Sequence, residues 1–172
     1  MMREAAVLVP VYRRREGELM VVLVRRAQGG AHGGQLTLPG GQRDPADADL
    51  AATALREANE ELGLASDHVE LLAALPVIET QTTGFRIAPF LARLAAPPSW
   101  RLQEREVAEV VELPVADLAR PEARAEAVRA FPTWPAPRRI RLWRVGGLEV
   151  WGVTYRILEP LVPRLLGGEW PL

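Results

Sequence analysis

Glu57, Glu60 and Glu61 lie at spacings i, i+3 and i+4. On a helix, those spacings bring three carboxylates to one face. Anions gathered near the C-terminal end of a helix repel one another and oppose its dipole, so a cation is expected to offset them. Hard oxygen donors converging on one point suit Mg2+ or Mn2+. A solvated acidic face is the plain structural alternative, and for glutamates alone it is the commoner outcome. The setting tips the reading toward chemistry, because Arg56 directly precedes the cluster and a glycine pair stands upstream of it on the same stretch.

The elements that must position these groups follow from their neighbours. Pro39-Gly40-Gly41 reads as a tight turn, since glycine adopts backbone angles closed to other residues. After an acidic run containing Asp44, Asp47 and Asp49, the residues Ala51, Ala54, Leu55, Ala58 and Leu62 share one arc of a helical wheel. Gly63 stands where that helix is expected to stop, in the left-handed conformation.

Together, Gly41, Asp47 and the run Arg56-Glu57-Ala58-Asn59-Glu60-Glu61-Leu62-Gly63-Leu64 resemble the Nudix box, the signature of hydrolases acting on a nucleoside diphosphate linked to another group. Gly41 matches the first glycine, and Asp47 stands where a glutamate is usual. Eight residues rather than seven separate Asp47 from Arg56, after which the match is complete to Leu64. The Pro-Gly-Gly, Arg43-Asp44-Pro45 and longer spacing are similar to the coenzyme A pyrophosphatase subgroup. Arg25, His32 and Gly34 also match positions of that subgroup, whereas Leu38 and Gly29 depart from the Phe and apolar residue usual there.

The resemblance implies an α/β fold, a Nudix-type α/β/α sandwich with a central mixed β-sheet, forming a single domain over residues 1–172. It implies metal-dependent hydrolysis of coenzyme A or its acyl esters to phosphopantetheine and adenosine 3′,5′-bisphosphate. Glu57 and Glu61 are then metal ligands, and Glu60 is a ligand or the general base. Arg56 holds a glutamate in its rotamer. Arg25, His32, Gly40 and Gly41 are the candidates for substrate contact. Glu106 precedes an apolar strand at a place where the subgroup tends to carry a glutamate. It is read either as a further base or ligand, or as one half of an ion pair in a charge-rich stretch. The rival readings are a Nudix hydrolase of ADP-ribose, nucleoside triphosphates or diadenosine polyphosphates, and a Nudix domain that binds a nucleotide without cleaving it.

Composition narrows the partners. The chain has 172 residues, 48% of them hydrophobic and 25% charged, with a net charge of −1. That length buries a proper core, and that balance gives no bulk attraction to nucleic acid or to an anionic membrane. Without cysteine there is no disulfide and no thiolate metal site. Every basic side chain apart from two histidines is Arg, so basic contacts to phosphate fall to guanidinium, which binds phosphate oxygens bidentately. The opening run to Pro10 reads as a first strand and not a signal peptide, no stretch is long enough to span a membrane, and a cytoplasmic location is expected. Oligomeric state stays open between a monomer and a homodimer.

Along the chain, residues 5–11 and 19–24 read as a hairpin, and 69–75, 77–83, 87–94 and 107–113 as further strands. Residues 95–98 read as a loop, 114–130 as helical with an interruption at Pro121, and 132–137 as a proline-rich loop. Residues 138–145 and 148–150 form a ribbon about Gly146-Gly147. A helix starts at 151–158, with Pro160 and Pro163 kinking or restarting it, and Trp151 is expected in the core. Strands interleaved with two helices suggest a layered α/β domain.

Overall fold

The computed structural model describes residues 1–30, 32–95 and 99–172. Among these residues, eight strands build the larger sheet: β1 (Arg3–Arg13), β2 (Leu19–Arg26), β3 (Leu36–Thr37), β4 (Gly40–Gln42), β5 (Val69–Ala74), β6 (Ile78–Thr80), β7 (Phe85–Leu94) and β8 (Val107–Pro114). β1 and β7 run parallel while their other partners run antiparallel, so the sheet is mixed.

Alternation along the strands decides which helix each face receives. Leu8, Val22 and Val24 pack with Ala54, Ala58 and Leu62 of helix α1 (Leu50–Leu62). Val9, Val21 and Leu23 belong to the opposite core, shared with Ile157, Leu161 and Leu165 of a C-terminal helix. Helices therefore cover both faces of a central mixed sheet, as the α/β/α expectation requires.

The β1–β2 hairpin splits soon after its turn. The two strands pair only from Val11↔Val21 to Arg13↔Leu19. Further on, β1 takes β4 as its neighbour, with Val7 opposite Gly40 and Ala6 opposite Gly41, while β2 takes β3, with Val24 opposite Thr37. Residues 36–42 are thus wedged between two strands that have parted, and the β4 end of that wedge faces α1.

Here the reading of Pro39-Gly40-Gly41 as a tight turn is corrected, because Gly40 and Gly41 belong to strand β4. The glycines are needed for close approach. A Cβ on Gly40 would lie 2.7 Å from the Cα of Val7, inside the paired backbone of β1.

A second sheet lies beyond short helix α2 (Val115–Ala119) and consists of β9 (Arg124–Arg129), β10 (Arg138–Val145) and β11 (Leu148–Val150). The ribbon about Gly146-Gly147 stands as expected. The helical reading of 114–130 does not extend over 124–129, which pair antiparallel with β10. Arg124, Glu126 and Val128 face outward while Ala125, Ala127 and Arg129 are partly covered, a period of two that overrides the helix propensity of Ala, Arg and Glu.

Helix α3 (Gly152–Leu166) runs on through Pro160 and Pro163 without restarting. Both prolines are exposed, so the carbonyls they deprive of a partner lie on the solvent side. Of the loop read at 95–98, residues 96–98 lie outside the described residues, as does Ala31 within the glycine-rich loop.

Candidate active site

Helix α1 is pinned at both ends. The Asp49 side chain accepts a hydrogen bond from the Ala52 N–H at 2.7 Å, and Gly63, with φ 68°, donates its own N–H back to the Asn59 carbonyl. Burial of Ala54, Ala58 and Leu62 against the sheet sets the roll of the helix. Glu57 and Glu61, one turn apart, then point toward β4.

Glu61 is only 1% exposed. Arg26 Nη1 donates to its Oε1 at 2.5 Å, and the Gly40 N–H donates to Oε2 at 3.3 Å. Burial pushes its carboxyl up to about 7, because Arg26 and Gly40 offset desolvation only in part and the charge of Glu57 adds to it. Glu57 is also pushed up by burial, against the opposing pull of Arg56, whose Nη1 lies 3.0 Å from its Oε1.

Arg56 organises the other side. Its Nε and Nη2 grip both oxygens of Asp47 at 2.9 and 3.0 Å, and Nη2 also donates to the Gln42 carbonyl. The guanidinium holds the Asp47 carboxyl well below the usual carboxylate range. The aspartate in the usual glutamate position therefore serves to fix Arg56, which in turn holds Glu57.

Glu106 completes the cluster. The Ala27 N–H donates to its backbone carbonyl at 2.9 Å, which sets the residue beside the end of β2. Glu57, Glu61 and Glu106 each offer one carboxylate oxygen, and these atoms lie within 4.8 Å of one another. An all-oxygen anionic set with one fully buried member is a donor set that suits a hard divalent cation. Glu60 does not join it. Its side chain is 54% exposed and meets Arg56 on the outer side of the helix.

A cavity of about 920 Å3 opens beside the cluster, and Glu106, Arg26, Gly40 and Gly41 are part of its lining. His32 also lines it, with Nδ1 3.0 Å from Gln35 Oε1. Arg25 does not. Its Nε meets Glu109 at 2.6 Å and its Nη1 donates to the Gly34 carbonyl at 3.1 Å, so it braces the loop from the far face of the strand. The cavity receives Arg26 instead, a residue that the sequence reading passed over. Strand parity carried the signal, because Val22 and Val24 face α1 and Arg26 continues their side. Trp151 likewise lines the cavity and is not part of either core.

The titration of Glu61 gives a prediction with a definite sign. Its acid is raised from 4.5 to about 7 in the folded chain, so between those values the native state keeps a proton that the unfolded chain has released. Metal-free protein should therefore lose stability as pH rises through that window, by about 3 kcal/mol in all. Thermal melts in chelator check this. Mg2+ should raise the melting temperature more at about pH 8 than at about pH 5.5, since a ligand carboxylate must shed its proton to bind.

A family model described as NUDIX domain matches residues 2–134. The uncharacterized Nudix hydrolase NudL of Salmonella paratyphi B is 36% identical over 159 residues, which cover 92% of this chain and 81% of that protein. Among solved structures, RenU, a Nudix hydrolase from M. smegmatis, aligns with a TM-score of 0.67 at 21% identity over 99% of this chain and 89% of that one. A C. elegans Ap4A hydrolase, solved as a binary complex, aligns with a TM-score of 0.56 at 24% identity over 67% of this chain and 82% of its own. At those identities the two structures speak for the fold alone.

Proposed function

Because the chain belongs to the Nudix hydrolase family, we propose that it is a metal-dependent pyrophosphohydrolase of coenzyme A or acyl-CoA, acting in the cytoplasm as a single domain. Water cleaves the diphosphate to give the phosphopantetheine half and adenosine 3′,5′-bisphosphate. The observation that carries the reading is the junction at Glu106, which belongs both to the carboxylate cluster and to the wall of the large cavity.

In this reading Glu57, Glu61 and Glu106 hold Mg2+ or Mn2+. A divalent cation bound there supplies charge neutralisation for the diphosphate and Lewis acidity toward the attacking water. Arg26 keeps the buried Glu61 in place and, through Nη2, ties it to the Gly40 carbonyl at 3.2 Å. Arg56 does the same for Glu57, so neither carboxylate need reorganise as the reaction proceeds. Glu106 is the exposed member and lines the cavity, so the carboxylate oxygen it does not give to the cation is suited to accept the proton of the water. Glu60 acts through Arg56, and Arg25 through the glycine-rich loop.

Coenzyme A is favoured over smaller diphosphates by the cavity, which lies near the upper end of the ~300–1,000 Å3 usual for small-molecule sites. Arg138, Arg139 and Arg156 on its lining suit a substrate with a phosphate beyond the diphosphate. With Mg2+ or Mn2+, the protein is expected to release adenosine 3′,5′-bisphosphate from coenzyme A faster than it cleaves ADP-ribose or Ap4A. The opposite ranking assigns another nucleoside diphosphate derivative. Absence of metal-dependent turnover across the panel leaves a nucleotide-binding domain.

A further inference from the structure

Four aromatic rings from three separate segments meet on one wall of the cavity. His32 comes from the loop after β2, Phe131 and Trp134 from the segment between β9 and β10, and Trp151 from the junction of β11 with α3. Phe131 is the hub, with ring centroids 5.2 Å from His32, 5.9 Å from Trp134 and 5.8 Å from Trp151. Trp134 and Trp151 stand edge to face at 6.2 Å and 78°.

Packing alone does not explain the arrangement. Where this chain uses an indole as core, it buries it: Trp143 is 3% exposed, against Tyr155 at 4.7 Å. None of the four cavity rings is buried. Apolar ring surface facing a cavity is a surface awaiting a flat partner. A cation stands beside it, since the Arg138 guanidinium lies 5.4 Å from the Trp134 ring centroid and has no carboxylate partner among the described residues.

The geometry points to a purine-binding subsite, in which the base lies against Trp134 and Trp151 and Arg138 takes a phosphate carried by the ribose. This rests on the reading that the substrate is a nucleoside diphosphate derivative, and it names the half of that substrate the 131–139 segment recognises. A pantetheine arm offers amides and methylenes with no π-face. A base offers one, and stacking on an aromatic side chain tightens binding about tenfold or more per base. Arg138, beside the indole, supplies a guanidinium that can take the phosphate of a nucleotide stacked on the rings. Trp134 thus sets specificity without touching the carboxylates that carry the hydrolysis.

Tryptophan emission of the metal-free protein, titrated with adenosine 3′,5′-bisphosphate, is expected to be quenched saturably, and 4′-phosphopantetheine should give no comparable change. Trp134→Ala should weaken the bisphosphate about tenfold or more, Trp134→Phe should recover most of the loss, and Trp134→Leu, which keeps apolar volume without a π-face, should not. In turnover of coenzyme A, Trp134→Ala should raise KM and leave kcat nearly unchanged. Equal affinity of wild type and Trp134→Ala for the bisphosphate, or a Leu variant that matches wild type, overturns the subsite. Quenching by ADP in a protein that does not cleave coenzyme A removes the proposed substrate and keeps the subsite. Turnover of coenzyme A with an unchanged KM in Trp134→Ala does the reverse.

Discussion

Glu61→Gln is expected to lower kcat by about three orders of magnitude in a protein that still folds, and Glu57→Gln to do likewise. Each substitution removes an anionic oxygen from the set formed by Glu57, Glu61 and Glu106. The fold survives because the carboxyl of Glu61, pushed up to about 7, is already close to half protonated in the metal-free chain near neutrality, so a neutral amide mimics a state the protein visits. One amide hydrogen then faces a donor, either Arg26 or the weaker Gly40 contact at 3.3 Å, which costs about 1–2 kcal/mol. Steady-state rates at saturating metal, read beside melting temperatures, decide the matter. Near-wild-type rates in both variants would take these residues out of the mechanism.

Gly40 and Gly41 are neighbours in one motif, yet alanine should act on them in opposite ways. On Gly41 a Cβ would lie 2.5 Å from the carboxyl carbon of Glu57, the movable end of a flexible side chain. Glu57 can swing aside, so Gly41→Ala should fold normally and lose about a hundredfold in kcat, the usual consequence of a catalytic group displaced by an ångström. On Gly40 the Cβ meets the backbone of β1 beside Val7. That backbone cannot move without opening the β1–β4 pairing, so Gly40→Ala should cost about 1–3 kcal/mol or more in stability. Denaturant midpoints and single-substrate kinetics on the two variants separate the effects. A Gly41→Ala enzyme with normal kcat would mean that Glu57 does not act from the position it holds.

How far the sequence can be read depends on whether the relevant signal is local. Helix α1 was legible because its apolar arc and its Gly63 stop lie within one short run. The glycines of β4 read as a turn, but β1, β2 and β5 to β8 were legible from apolar runs. Residues 124–129 were not, since their pairing to β10 is a contact across the chain that Ala, Arg and Glu do not advertise locally. Glu106 was named as a candidate, but its approach to Glu57 and Glu61 depends on the β2–β8 pairing that brings it there. The exchange of Arg25 for Arg26 has a different cause. The alternation of β2 was available, but resemblance pointed to the first arginine whereas parity points to the second. Glu60 shows the limit of spacing alone, since a helix face broad enough for three carboxylates need not aim all three at one point.

The two prolines of α3 carry a consequence for how the molecule comes apart. A helix of 15 residues that lacks two amide donors, each substitution costing about 3 kcal/mol relative to alanine, has no standing as an isolated helix. It exists because Ile157, Leu161 and Leu165 dock on the sheet and because Thr154 accepts the Leu38 amide. Local opening on warming should therefore begin at α3 and take Trp151 with it, while α1, capped at both ends and packed on the other face, stays closed. Amide exchange would then see a half-open species in which the carboxylate cluster is intact but the aromatic wall of the cavity has come apart. Heat would dismantle one side of the cavity while the carboxylates beside it kept their places.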